Sequence, residues 1–476
     1  MRGAEQGVPP STSLCDPTYY PVVSAYGAIN EEEEMKATSW RRAAAAALAA
    51  GLLVAACGGS SESPAAGNEL TTDPVTLTIQ IFNAGGQAEL EYRQAQAAEF
   101  TTLHPNVTVE LVQSGNYIDT VLPQIAAGTV GDVIWTDTDT GFTQFAVAGA
   151  FEPLDSFIAA DGYDLSPYPS ALLKSFQVDG AQLVMPNSVL PFNFVYYNKD
   201  IFTAAGVAEP TSDWSIAEFV DAARKTADKG SKRYGLTLAW NEQYVAWMRM
   251  YGCELSNDDS AATEYTYNGA GCADAMKALD DLSREAVLNW SLGAGFGGLP
   301  EGDKAGEQNF SAGNVAMLIS GTWESPAIIE NSAGAFEWGA VSVPVEGNGK
   351  IQGAASGFGV SSTSKNKAWA WEYVKFLTDI EGQKSDAPAG YNSSPISAVL
   401  DDVYCKSEAL PLSKCEITKI GNEHIALEPI KGEWSEGFWG VIAPAFEGAI
   451  TAKTQGDWQA LLDDLVQQST AAAPLQ

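Results

Sequence analysis

The chain has 476 residues, with 26 basic against 60 acidic side chains and a formal net charge of −34 at pH 7. An exterior this acidic makes nucleic acid a poor partner, and two histidines are too few for a His-rich metal site or a Ser-His-Asp relay. The length allows two domains with sizeable cores and excludes a single small module.

Residues 1–34 fit no targeting logic, because Glu31 to Glu34 stand directly before Met35. They are expected to be an untranslated or disordered extension, the glutamate codons doubling as a purine-rich ribosome-binding site. Residues 35–56 have the proportions of a signal peptide: Lys36, Arg41 and Arg42, then an apolar run from Ala43 to Val54 too short to span a bilayer comfortably. Leu53-Val54-Ala55-Ala56-Cys57 resembles a bacterial lipobox, which implies that Cys57 is lipidated and becomes the mature N-terminus. At about 0.8 kcal/mol per buried CH₂, two or three acyl chains would tether a domain to the outer face of the bacterial cytoplasmic membrane. Residues 57–74, rich in Ser, Gly, Ala and Pro, read as a flexible leash.

The fold begins near Val75. Val75 to Phe82 alternates as a strand, Ala88 to Leu103 has helical spacing, and Asn106 to Val112 is a second strand. A helix over Tyr117 to Ala127, a buried strand over Asp132 to Trp135 and a helix over Phe142 to Ala148 follow. Such alternation predicts a mainly parallel α/β sheet. It resumes with a strand at Phe194 to Tyr197, helices at Ile216 to Lys229, Gln243 to Met250 and Ala273 to Glu285, and strands at Val315 to Ile319 and Glu337 to Val343. Lys367 to Leu377, Pro395 to Leu400, Ala445 to Lys453 and Trp458 to Gln467 look helical.

After Cys57 come Cys253, Cys272, Cys405 and Cys415, an even number in an exported chain, read as two disulfides. Three pairings are possible; the local one, Cys253–Cys272 and Cys405–Cys415, closes short loops and is the expectation. The spacings match no zinc signature. Asp137-Thr138-Asp139-Thr140-Gly141 opens like a calcium loop, but its twelfth position is Ala148 where a bidentate Glu is needed, so no metal and no cofactor are expected.

Several blocks together resemble the extracellular solute-binding proteins of ABC importers, in the carbohydrate-binding group similar to maltose-binding protein. They are Asn83-Ala84-Gly85-Gly86, His104-Pro105-Asn106-Val107, Gly131 to Asp137, Gly149 to Leu154, Val195 to Phe202, Phe310 to Met317 and Gly321-Thr322-Trp323. The resemblance implies a type II, two-lobed periplasmic-binding-protein-like α/β fold whose crossing hinge strands let the lobes close on ligand. Lobe one is expected at 75–186 and 316–377, and lobe two at 187–315 and 378–476. It also implies a monomer that captures a mono- or oligosaccharide and delivers it to membrane permease subunits.

A sugar site needs aromatic platforms for apolar C–H faces and Asp, Glu, Asn or Gln for the hydroxyls. Thirteen tryptophans include Trp240, Trp247, Trp323, Trp434 and Trp439 in polar contexts. By resemblance Trp323 is a sugar-stacking residue, and Glu242, Tyr244 and Trp247 match a sugar-contacting segment. Asp137 and Asp139 follow a strand and would accept hydroxyl protons; Asn83, Gln87, Asn193, Tyr391, Asn392 and Trp434 complete the binding set. Few Lys or Arg lie in these loops, which disfavours phosphate or carboxylate ligands, leaving polyols, other neutral solutes or short peptides as alternatives. Paired carboxylates also serve glycoside hydrolases, but no pair here carries an acid/base assignment, so no enzyme is expected.

Overall fold

The computed structural model of the protein describes residues 70–82, 86–114, 117–138, 141–228, 230–238, 243–258, 262–285, 288–290, 306–347, 349–386, 393–427, 434–451 and 456–475. The extension at 1–34, the signal at 35–56, Cys57 and the leash up to residue 69 lie outside them.

Strand β1 (Val75–Ile81) buries Leu77, Ile79 and Ile81 and leaves Thr76 exposed, the period-two pattern of a strand. It runs parallel to β2 (Val107–Gln113) on one side and β3 (Val133–Asp137) on the other. Parallel neighbours need a crossover, supplied between β1 and β2 by the helix Gly86–Leu103, which buries Ala97 and Phe100. The pair Gly131-Asp132 sets β3 against β1. A Cβ on Gly131 would lie 2.6 Å from the Thr78 carbonyl oxygen, and the Asp132 carboxylate accepts from the Thr78 N–H at 2.9 Å.

Strand β4 (Met185–Pro191) is buried throughout and leads through Phe192 and Asn193 into β5 (Phe194–Asn198), which belongs to a different sheet. There Asn198 ends the strand, and its side-chain oxygen accepts from the Ile201 N–H at 3.0 Å, capping the helix Lys199–Ala205. Strands β6 (Leu236–Leu238), β7 (Leu288–Trp290), β8 (Met317–Ser320) and β9 (Trp338–Ser342) join β5 in the order β9-β5-β8-β6-β7. The chain then returns to the first sheet as β10 (Ile351–Val360), which pairs antiparallel with both β3 and β4. A short strand, β11 (Ile425–Ala426), closes the order β11-β10-β3-β1-β2.

The return at β10 differs from the expected boundaries, which put 316–377 in lobe one and 378–476 in lobe two. Strand β8 sits centrally in the second sheet, with Met317 and Ile319 in one core and Leu318 in another on the opposite face. An apolar run buried on both faces fits a central strand of either sheet, so its residues do not say which lobe holds it. Val399, Leu400 and Tyr404 pack with Val360, Trp371 and Tyr373 in the first core, so lobe one runs past Leu377 as far as Tyr404. The chain passes back at helix Lys414–His424, where Ile417 packs with Phe194, Leu318 and Ala340 of the second sheet.

Two large cores result, one holding Trp135, Phe145, Phe151, Phe358 and Trp371, the other Trp214, Phe219, Trp247, Trp434 and Phe446. Disulfides join Cys253 to Cys272 within the second core and Cys405 to Cys415 beside the passage between lobes. Among the described residues no helix is long and apolar enough to cross a membrane.

Candidate ligand-binding site

In open α/β sheets ligand sits beyond the carboxyl ends of the strands. At the end of β1, Phe82 stacks on Trp135 of β3 with ring centroids 5.5 Å apart, and Tyr117 lies 5.7 Å from each ring. The Tyr117 hydroxyl donates to the Trp135 carbonyl at 2.6 Å. Burial raises its pKa well above the ordinary phenol value and the nearby Asp137 carboxylate adds to the rise, so the proton stays on Tyr117.

Asp137, the last residue of β3, is 7 % exposed and lies opposite Ser356 of β10. Ser356 in turn lies opposite Ser188 of β4, the two hydroxyls 2.5 Å apart. Directly opposed residues of antiparallel strands point to the same face, so Asp137, Ser356 and Ser188 form one polar row across the crossing strands. Thr138 ties the row in place, its hydroxyl accepting from the Ala355 N–H at 3.0 Å and its own N–H donating to the Ala355 carbonyl at 2.9 Å.

Trp323 reaches this face from the other lobe. It follows β8 in the turn Gly321-Thr322-Trp323, where a Cβ on Gly321 would lie 2.0 Å from the indole, so only glycine lets the ring fold back over its own chain. The Tyr196 hydroxyl pins the turn, lying 2.8 Å from the Gly321 carbonyl and 2.7 Å from the Ser325 hydroxyl. The half-buried indole packs against Leu190, Ala354 and Phe192, the last edge-on at 5.5 Å. Leu190 and Ala354 are opposed to each other and stand two residues from Ser188 and Ser356 on the same strands. Side chains two apart share a face, about 7 Å from one another, so the aromatic ring and the polar row lie side by side over the crossing strands. Trp323 and Asp137 thus belong to different lobes, which corrects the expectation that they share one.

Four other residues of the expected set are taken up by packing. Trp247 is wholly buried, donates its indole N–H to the Ala275 carbonyl at 2.8 Å and packs on Phe219. Trp434 stacks between Tyr265 and Phe438, at 5.4 and 4.7 Å. Tyr244 is enclosed by Trp439 and Phe446, and Asn193 is buried with its amide donating to the Ser342 hydroxyl and the Ile417 carbonyl. The resemblance implies a sugar-contacting role for Tyr244 and Trp247, but the helix that carries them, Gln243–Met250, is buried on every side. Asn83, Asp139, Trp240, Glu242, Tyr391 and Asn392 lie outside the described residues, and of Gln87 only its place in the helix Gly86–Leu103 is described. Phe82, Tyr117, Ser188 and Ser356 were missed. The small polar residues inside mostly apolar runs, Asn187-Ser188 within Val184–Leu190 and Ser356 within Ala354–Phe358, were the available signal for the last two.

The chain matches the profile of the bacterial extracellular solute-binding proteins over residues 84–384. It belongs to that family. Curated relatives of this bacterial extracellular solute-binding protein include a binding protein of Brucella abortus, 27 % identical over 324 residues that cover 64 % of this chain and 71 % of the relative. The sn-glycerol-3-phosphate-binding periplasmic protein UgpB of Agrobacterium fabrum is 26 % identical over 343 residues, 67 % of this chain and 74 % of its own. Among solved structures, the ABC substrate-binding protein Lmo0181 from Listeria monocytogenes, in complex with cycloalternan, superposes with a TM-score of 0.72 at 24 % identity over 85 % of this chain and all of that one. That likeness establishes the two-lobed fold.

Proposed function

We propose that the protein is the solute receptor of an ABC importer, exported, held at the outer face of the cytoplasmic membrane through a lipid on Cys57, and built to capture a mono- or oligosaccharide for the permease subunits. One observation carries the ligand class: a half-buried tryptophan and a row of Asp137, Ser356 and Ser188 share one face of the strands that join the lobes. An indole covers the apolar C–H face of a pyranose, while a carboxylate and hydroxyls satisfy its hydroxyl edge. Closing two lobes on this face would surround the sugar without chemistry, and membership of a solute-binding family supports a receptor over a hydrolase. Calorimetric titration with a panel of neutral mono- and oligosaccharides tests the ligand class, and recovery of the sugar uncleaved tests the absence of hydrolysis.

The glycerophosphate-binding relatives favour a second reading, in which a phosphate is bound. Two buried guanidinium groups lie beside β10 and are already engaged: Arg93, 5.6 Å from the ring of Phe358, meets Gln96 at 3.2 Å and Glu89 at 3.5 Å, and Arg249 donates to the Gln352 side-chain oxygen at 2.7 Å. sn-Glycerol-3-phosphate therefore belongs in the same titration panel as the competitor whose binding would replace the sugar reading.

A further inference from the structure

Two of the passages between the lobes, β4 into β5 and β9 into β10, run side by side and are held to each other by sheet hydrogen bonds, β5 to β9 and β4 to β10. The passage from Tyr404 to Ile417 has no strand. Tyr404 lies in the first core and Ile417 on the second sheet, so the residues between them must bridge the lobes. An unbraced segment of that length could stretch to roughly 40 Å at about 3.3–3.6 Å per residue, and would leave the lobes free to part.

It is not unbraced. Cys405 and Cys415 are bonded with their Cα atoms 4.8 Å apart, so the covalent path from Tyr404 to Ile417 is cut to a few residues. Inside the closed loop the buried Lys414 ammonium donates to the carbonyls of Ser407 and Ala409, at 2.7 Å each, and lies 5.8 Å from the Tyr404 ring centroid. Each end is tied to a lobe. The Ser413 hydroxyl donates to the Ala340 carbonyl of β9 at 2.7 Å, while Tyr404, packed in the first core, reaches the Thr418 hydroxyl at 3.3 Å. The other disulfide differs in kind, since Cys253 and Cys272 are both buried in the second core and bridge nothing between lobes.

We infer that the Cys405–Cys415 disulfide is a clamp on the interlobe passage that limits how far the lobes open when no ligand is bound. The Cys253–Cys272 bond then contributes to the stability of one lobe alone. The inference does not depend on which solute is carried.

The test compares the full chain with the double variants C405A/C415A and C253A/C272A, all without ligand. Small-angle scattering gives the radius of gyration, amide hydrogen exchange reports on Met185–Pro191 and Ile351–Val360, and calorimetry gives the melting temperature. The clamp variant is expected to have a larger radius of gyration and faster exchange in both crossing strands, the control variant a lower melting temperature with neither change. If the clamp variant shows only a lower melting temperature, the bond is an ordinary staple and the inference fails. Should that variant not fold, the wild-type chain is treated with a phosphine reductant under native conditions, where the half-buried Cys405–Cys415 bond opens before the buried Cys253–Cys272 bond. Selective opening without expansion likewise overturns the clamp.

Discussion

Replacing Trp323 with alanine separates binding from folding, because the indole is only half-buried. The substitution removes an edge-to-face pair with Phe192 at 5.5 Å, worth about 0.5–1.5 kcal/mol. It also removes packing on Leu190 and Ala354. A fully buried aromatic ring cut to alanine costs about 3–5 kcal/mol, so a half-buried one should cost about 2 kcal/mol, which leaves the protein folded at room temperature. Binding should fall further. A central aromatic anchor contributes about 2–4 kcal/mol, a loss of about 30-fold to several hundred-fold in affinity. Trp323→Phe keeps a ring over the crossing strands and should recover part of the loss. Calorimetric titration of each variant with the tightest sugar of the panel, beside a melting curve, is the assay. Wild-type affinity in Trp323→Ala would refute the placement of the sugar on this face. Trp247→Ala serves as the opposite case: it should destabilise by about 3–5 kcal/mol, since the ring is wholly buried and its N–H is spent on Ala275, with any folded fraction binding normally.

Asp137→Asn should weaken sugar binding by about 1.5–3 kcal/mol through loss of a charged acceptor, read by the same titration; an unchanged dissociation constant would remove Asp137 from the site. Cys57→Ser should move the protein from the detergent phase to the aqueous phase in a partitioning experiment while sugar binding persists, and retention of both forms in the detergent phase would place the anchor elsewhere. Burial alone would raise the Asp161 carboxyl, but hydrogen bonds from Lys375 and Trp371 and the Lys375 charge outweigh it and hold the group below the usual aspartate value. A depressed carboxyl stabilises the fold above its unfolded value and loses that contribution as pH falls through the folded one, so Asp161→Asn should flatten the acid side of a melting-temperature profile below about pH 4. An unchanged acid limb in the variant would show that this ion pair plays no part.

Much of the fold was legible because local pattern and tertiary role agreed. The alternation of Val75–Ile81 and the extents Tyr117–Ala127 and Gln243–Met250 follow from their own residues. Membership of a sheet is not local. Met317–Ser320 carries no polar face to orient it, and which lobe it joins depends on partners more than seventy residues away, at Phe194–Tyr197 and Thr237–Leu238. The site was legible only in part, for a similar reason. Trp323 stands in a turn whose glycine signals a folded-back ring, whereas Trp434 and Tyr244 have polar sequence neighbours and Trp247 shares a helix with Tyr244, yet all three pack against aromatic rings from distant segments. Ser188 and Ser356 become a pair only when β4 and β10 align, 168 residues apart in sequence.

The most direct test of the account is a thermal-shift screen of the purified chain against neutral mono- and oligosaccharides, with sn-glycerol-3-phosphate in the same plate. A ligand at 100 times its dissociation constant stabilises the folded state by about 2.7 kcal/mol, a shift of a few degrees for a protein of this size. At least one neutral carbohydrate should produce it, with at least two thirds of the shift lost in Trp323→Ala at the same ligand concentration. Stabilisation by the glycerophosphate alone would contradict the carbohydrate assignment.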